Sequence, residues 1–316
     1  MTATGKKLSV VVPCFNEEPG LAELHRRVGA ACASVAGSVA DYEIVLVDDG
    51  SSDGTWRAMQ ALAERDPRVL GVRLSRNYGH QIALTAGLNI CSGDLILIID
   101  ADLQDPPELL PEMLAKVEEG CEVVYGRRRS RSGETYFKKA TAKAFYRLLD
   151  RMVSVNIPRD TGDFRLITRK VLEALNSMPE QHRFIRGMVS WVGFRQAAIE
   201  YDRDSRFAGE TKYPFRKMLN FAFDAITAFS VVPLKMATVL GFCMGVASLL
   251  GILYTVIGWL SGGTVQGWTS TMLAVLSVGS VQLIAIGIFG EYIGRMYMES
   301  KRRPLYIVDT TTREPR

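Results

Sequence analysis

Charge is absent from two long stretches of this 316-residue sequence. Met236–Leu260 carries no charged side chain, and neither does Val265–Gly290. About 20 apolar residues suffice to cross a bilayer, so both are expected to span a membrane. Paired cysteine spacings are absent too. Cys14, Cys32, Cys91, Cys121 and Cys243 are scattered, which excludes a disulfide framework and a zinc site and fits a reducing compartment. The net charge is only +4, and no stripe of interleaved basic and aromatic residues marks a nucleic-acid surface. The first strand is not followed by G-x-G-x-x-G, and G-x-x-x-x-G-K-S/T does not occur. A dinucleotide fold and a P-loop are therefore disfavoured. The opening MTATGKKLSVVVP leaves too little before its first strand for a cleavable signal peptide. No internal repeat is visible.

What remains reads as α/β. Leu8–Val12, Tyr42–Val47, Val69–Leu74, Leu95–Ile99 and Glu122–Tyr125 are apolar runs, as in strands buried on both faces of a parallel sheet. Helical patterns over about 19–36, 54–65, 79–91 and 108–119 alternate with them, which predicts a doubly wound domain. Further on, Glu134–Val153 reads as a helix, Asn156–Phe164 as a loop and Thr168–Ser177 as a short helix. Lys217–Ser230 is amphipathic and fits either a packed helix or one lying in a membrane interface.

The expected organisation is an α/β domain over 1–215, an amphipathic region over 216–234, a transmembrane hairpin over 235–290 and a tail over 291–316. The spans lie at about 236–260 and 267–290. Trp259 and Trp268 flank the hairpin turn, as interfacial aromatics do. Lys235 precedes the first span, and Arg295 with Lys301, Arg302 and Arg303 follows the second, while the turn has no Lys or Arg. By the positive-inside rule, both termini and the α/β domain face the cytoplasm.

In open α/β sheets, ligands bind beyond the carboxyl ends of the strands. Three such ends are polar here: Pro13–Glu17, Asp48–Ser52 and Asp100–Gln104. The stretch LILIIDADLQDPPE holds four carboxylates, and they divide. Asp105, Pro106, Pro107 and Glu108 have the spacing of a helix N-cap and capping box. Asp100 and Asp102 stand at i and i+2, on one face if the chain stays extended, and Gln104 continues that face. They read either as two solvated turn aspartates or as ligands to a divalent cation with a substrate diphosphate. One of Asp48 and Asp49 can accept hydrogen bonds from a base or ribose. Pro13, Phe15 and Glu17 fit a nucleoside pocket.

Taken in order, VVPCFNEE, LVDDGSSDGT, NYGHQIALTAGL, IIDADLQDPPE, TGDFRL and RFAGETKY resemble the family 2 glycosyltransferases with the GT-A fold. The likeness is nearest to the polyprenyl-phosphate glycosyltransferases, a group that includes undecaprenyl-phosphate glucosyltransferases of the GtrB type and dolichyl-phosphate mannose synthases. It extends through the hairpin into GEYIGRMYMESKRRPLYIV. The resemblance implies that Pro13, Phe15, Glu17, Val47 and Asp49 line the base and ribose pocket. It implies that Asp100, Ala101, Asp102 and Gln104 hold the sugar-nucleotide diphosphate, with Mg2+ or Mn2+ on Asp100, Asp102 and Gln104. Arg128, Arg206 and Lys212 match basic residues near the phosphates. Asp163 matches the acid proposed as catalytic base in the GtrB-like members, with Asp160 as its nearby competitor. Mannose synthases tend to have TGSFRL here, so Asp163 favours the glucosyltransferase side. His80 stands where many relatives have lysine or another polar residue and is assigned no role.

The implied reaction is inverting transfer of a hexose, glucose from UDP-glucose, to undecaprenyl phosphate at the inner membrane, giving a β-linked polyprenyl-phosphate sugar. GDP-mannose is the rival donor. Relatives suggest a homo-tetramer, and no nucleic-acid partner is expected. The acceptor phosphate is already anionic near neutral pH, so a strong base is less needed, and Asp163→Asn is expected to cost less than Asp102→Asn. Two spans are few for a polysaccharide channel and no Q-x-x-R-W occurs, so processive synthesis is disfavoured. A silent scaffold is disfavoured by the intact Asp49, Asp100, Asp102 and Lys212, and a flippase by the lack of intramembrane charge.

Overall fold

The computed structural model describes residues 5–129, 161–202, 230, 232–261 and 267–313. The chain divides into two compact units. One comprises 1–147, 155–215 and 303–316, and the other 148–154 and 216–302. The expected helix over Glu134–Val153 and most of the amphipathic segment over Lys217–Ser230 lie outside the described residues.

The first unit is built on one sheet. Its strands are β1 (Lys7–Cys14), β2 (Asp41–Asp48), β3 (Val69–Leu74), β4 (Leu95–Ile98), β5 (Val123–Arg128), β6 (Thr161–Thr168), β7 (Gln196–Tyr201) and β8 (Val308–Thr311). Their spatial order is β7-β5-β6-β4-β1-β2-β3-β8. β4, β1, β2 and β3 run parallel and are apolar on both faces, so their side chains are almost wholly buried. Between them come α1 (Leu21–Ser34), α2 (Thr55–Arg65), α3 (His80–Ile90) and α4 (Leu110–Glu118). α1 buries Leu21, Leu24, Val28, Ala31 and Cys32, the stripe of an amphipathic helix on a sheet. α3 sits close on the sheet because Gly87 has no side chain. A Cβ there would lie 2.4 Å from Val11 Cγ1 and 3.0 Å from Val47 Cγ2.

The sheet is mixed rather than wholly parallel. β6 runs antiparallel between β4 and β5. Part of the expected loop Asn156–Phe164 is therefore the start of a buried strand. Pro158 and Gly162 made it look like a loop, yet Asp163 within it is matched by His80 and Gln81, far away in sequence. The tail contributes as well: β8 pairs antiparallel with the β3 edge. Thr312 Oγ1 accepts the Gly71 N–H at 2.9 Å, and Tyr306 Oη accepts a hydrogen bond from Asn89 Nδ2 at 3.0 Å. β8 thus covers an edge that would otherwise present unpaired backbone groups.

The acids before α4 do not form a capping box. A 3-10 turn, Pro107–Leu109, leads into α4 with no side-chain cap. Asp105 is fully buried, accepts a hydrogen bond from the Tyr201 hydroxyl and faces Arg128 Nη2 at 3.6 Å. Glu108 instead forms a bidentate pair with Arg27, at 2.8 and 2.7 Å. Both carboxylates are thus taken up by guanidiniums, with a phenol added at Asp105, and neither serves as the helix cap.

Between α1 and α2, Asp66 accepts hydrogen bonds from Arg68 Nε at 2.8 Å and Nη2 at 3.0 Å, with His25 Nε2 at 3.0 Å. Burial raises its pKa, but the Arg68 and His25 hydrogen bonds outweigh this and hold the carboxyl at about 2. The folded value lies below the ordinary one of about 3.9, so the stabilisation is complete above that pH and is lost as pH falls through about 2. With Arg68 half exposed, Asp66→Asn is expected to cost about 1 kcal/mol at pH 7. Denaturant titrations of both proteins should converge near pH 2; an equal gap at pH 7 and pH 2 would reject this account.

The second unit holds α7 (Val232–Leu260) and α8 (Trp268–Ser300), which pack on each other. Both are long and apolar enough to cross a membrane. Phe242, Leu249, Tyr254 and Leu283 point outward and are mostly exposed, a surface that water does not tolerate over such an area. At 33 residues α8 is about 50 Å long, well beyond a hydrocarbon core of about 30 Å.

Candidate active site

The parallel strands β1, β2 and β4 bring their carboxyl ends to one edge of the sheet. β6 is antiparallel to β4, with Arg165 opposite Ile98, so the beginning of β6 reaches that same edge. This register sets Asp163 beside Asp100. α3 begins there too, after the turn from β3, and presents His80 and Gln81.

These residues form one cluster. His80 Nε2 lies 3.4 Å from Asp100 Oδ1 and 3.3 Å from Asp163 Oδ2. Gln81 Nε2 donates to Asp163 Oδ2 at 2.9 Å, and Gln81 Oε1 accepts the Ile185 N–H at 3.0 Å. Ile185 opens the short helix α6 (Ile185–Trp191), which follows α5 (Arg169–Asn176). Arg186 Nη2 is 3.5 Å from Asp163 Oδ1, and Arg165 Nη2 is 3.7 Å from the same atom. Arg165 is almost wholly buried and donates to the carbonyls of Asp163 and Gly162.

Charge is unevenly settled in this cluster. Burial works to raise the Asp163 carboxyl, but the His80 hydrogen bond and the Arg186 and Arg165 guanidiniums hold it well below the usual range. Burial lifts Asp100 above the usual carboxylate range, against the pull of His80, with Asp163, Asp105 and Asp102 adding to the rise. For His80, burial favours the neutral ring, yet Asp163, Asp100 and Asp49 raise it to about 9. Asp100 Oδ1 is buried and takes no hydrogen bond. Donor atoms of His80, Asp100 and Asp163 all lie within 4.8 Å of one another. An orphaned carboxylate oxygen within a set of oxygen and imidazole donors fits a divalent cation.

The other expected positions are placed as follows. Pro13 is buried at the end of β1, and Phe15 beyond it is 46% exposed. The Glu17 N–H donates to Thr55 Oγ1 at 2.9 Å, and Asn16, at φ 57°, accepts the Ser52 N–H. The loops after β1 and β2 are thereby knitted into one rim carrying Phe15. Asp49 Oδ1 and Oδ2 accept the N–H groups of Tyr78 and Gly79, so this carboxylate shapes the turn into α3. Val47 is fully buried beneath Gly87, and its side chain lines the core, not a pocket. Past Ile98 the chain does not stay extended. It turns at Ala101 and Asp102, and Leu103 takes φ 57° with its side chain in the core. Asp102 Oδ1 accepts the Gln104 N–H at 3.2 Å within this turn, and Ala101 is buried. Asp100, Asp102 and Gln104 thus do not share a strand face. Arg128 Nε donates to the Tyr201 hydroxyl at 3.3 Å. Its guanidinium lies over Gly162, where a Cβ would come within 2.9 Å of Nη2. Asp160, Arg206 and Lys212 lie outside the described residues.

Residues 9–175 match the family described as Glycosyl transferase family 2. The chain belongs to this family. Residues 232–296 match the GtrB C-terminal hairpin. A glycosyltransferase of Bacillus subtilis (strain 168), YkcC, named as uncharacterized, is 48% identical over 301 residues, 95% of this chain and 92% of its own length. A prophage bactoprenol glucosyl transferase homolog of Escherichia coli (strain K12) is 40% identical over 303 residues, 96% of this chain and 98% of its own. The bactoprenol glucosyl transferase of Shigella phage SfV matches with the same identity and coverage. The protein is thus a family 2 glycosyltransferase with a mixed α/β, GT-A-like fold and a membrane-associated C-terminal hairpin.

Reading the sequence missed four residues of this glycosyltransferase's cluster: His80, Gln81, Arg165 and Arg186. A signal existed for the first two, because Ser75–Gly79 is also the exit of a parallel strand, and the rule applied to β1, β2 and β4 extends to β3. Arg186 had no local signal, and Arg165 only its place within TGDFRL, which assigned it no role. They reach the cluster through the antiparallel return of β6 and the position of α6.

Proposed function

We propose that this glycosyltransferase moves glucose from UDP-glucose to undecaprenyl phosphate, in one inverting displacement, at the cytoplasmic face of the membrane. The observation that carries this is architectural. Catalytic domain and hairpin together align over 96% of the chain with proteins named bactoprenol glucosyl transferase. The charge pattern around the hairpin supports a two-span, cytoplasm-facing arrangement.

In this reading Phe15, half exposed on the knitted rim, stacks on the uracil. Asp100 and Asp102 hold Mg2+ or Mn2+ with His80 nearby, and the cation, when bound, neutralises charge on the leaving diphosphate. Arg128, braced by Asp105 and Tyr201, supplies fixed positive charge to the same group. Arg206 and Lys212 are assigned by resemblance to close over the phosphates. Asp163 orients the groups that receive the acceptor, whose phosphate is already ionised near neutral pH.

The test is incubation of the purified protein with undecaprenyl phosphate and a panel of nucleotide sugars, with products read by mass. UDP-glucose is expected to give the hexosyl product, a chelator to abolish it, and Mn2+ or Mg2+ to restore it. Product from GDP-mannose alone would reject the donor assignment. Turnover unaffected by the chelator would reject the metal.

A further inference from the structure

The geometry points to Arg186 as the residue that binds the phosphate of the acceptor. This rests on the proposed reaction and adds to it a subsite that neither the sequence motifs nor the resemblance assigns.

Two guanidiniums face Asp163, and they differ in what they have left to give. Arg165 is 3% exposed and spends Nε and Nη2 on the carbonyls of Asp163 and Gly162. Its place is structural. Arg186 has a side chain 26% exposed. Its contact with Asp163 is long, at 3.5 Å, and its buried Nε–H has no hydrogen-bond partner. A buried guanidinium donor left unmatched on a side chain that still reaches the surface calls for an acceptor from outside.

Electrostatics calls for a cation at the same place. The acceptor arrives as a phosphate anion, and the cluster it must approach contains the Asp100 and Asp163 carboxylates. Like charges a few ångströms apart repel strongly in a partly buried site. His80 and Arg165 are already turned to those carboxylates, so positive charge for the acceptor falls to a cation with donors to spare, in a form that fits phosphate oxygens. The planar fork of arginine does so with two parallel hydrogen bonds.

The fork is also aimed. Gln81 ties the first N–H of α6 to Asp163 through both ends of its amide. Asp163 in turn faces Nη2 of Arg186 at 3.5 Å, a contact long enough to leave the guanidinium's other donors for the ligand. Asp163 and Gln81 are positioning residues in this scheme, and Arg186 makes the contact.

The test uses the full-length protein in detergent and farnesyl phosphate as a short-chain probe, with UDP binding measured in parallel by calorimetry. Arg186→Gln is expected to weaken farnesyl phosphate binding by about tenfold or more, to raise the KM for undecaprenyl phosphate in step, and to leave UDP affinity unchanged. Arg186→Lys keeps the charge without the fork and should fall between. Unchanged farnesyl phosphate affinity in Arg186→Gln, or an equal loss of UDP affinity, would overturn the inference. So would an Arg186→Lys protein that binds as weakly as Arg186→Gln and melts lower, since that would assign the residue to packing. A wild-type protein that binds farnesyl phosphate through Arg186 but glucosylates no polyprenyl phosphate would overturn the proposed reaction and leave this site standing.

Discussion

An Asp163→Asn protein is expected to lose about a hundredfold in transfer rate while its pH–rate profile keeps its shape. The two halves of that result have separate causes. The rate falls because Asp163 is the hub on which His80, Gln81, Arg165 and Arg186 converge. Asparagine keeps the shape, but one of its terminal groups becomes a donor facing other donors, and the cluster loses the charge that balances its cations. The profile stays because this carboxylate is held ionised far below neutral pH by His80, Arg186 and Arg165, against its burial. A group so acidic is a weak proton acceptor at the pH of the reaction, and a phosphate nucleophile needs none. A missing acid limb in the Asn protein would show that Asp163 is the titrating base after all.

Glu43→Ala is expected to unfold the catalytic domain more readily, by about 3–5 kcal/mol, without touching the chemistry. Glu43 is 4% exposed at the opposite edge of the sheet, paired in register with Ser9. It accepts hydrogen bonds from Ser9 Oγ at 2.6 Å, from the Ser92 N–H at 2.6 Å and from Lys7 Nζ at 2.9 Å. Burial opposes its ionisation, yet these donors keep its pKa lowered. Alanine strands a buried hydroxyl and an amide at once, and takes the carboxylate away from the partly exposed Lys7 ammonium. The loss is large beside a total stability of about 5–15 kcal/mol. Denaturant unfolding of the two proteins measures it, and turnover at low temperature should be unchanged. A difference below about 1 kcal/mol would mean that water replaces the carboxylate at no cost.

Both predictions turn on buried polar residues, and these are what the sequence disguised. β1 to β4 were legible almost to the residue because each is an apolar run with a polar exit. The two long helices were legible because each is built on an uncharged run. The start of β6 was not, since Gly162 and Asp163 look like loop until the partners of Asp163 from α3 and α6 are in place. Asp105 has the spacing of a helix cap, and only the return of β7 shows that Tyr201 and Arg128 claim it. Asp100 was found as a strand-end acid, but its companions are His80 and Asp163, brought together by register. The face it was expected to share with Asp102 and Gln104 required an extended chain, and Leu103 turns that chain inward. Short-range patterns carry the scaffold, and the site is assembled by pairings across the sheet.

One of those pairings fixes an order of events during synthesis. β8 follows the apolar hairpin in the chain, and its neighbour Thr312 bonds Gly71, 241 residues earlier. A ribosome releases Gly71 early and Thr312 only after both hairpin helices have emerged. The edge of β3 therefore waits, unpaired by β8, while the hairpin is made. Completion of the catalytic sheet thus reports that the hairpin has already been synthesised.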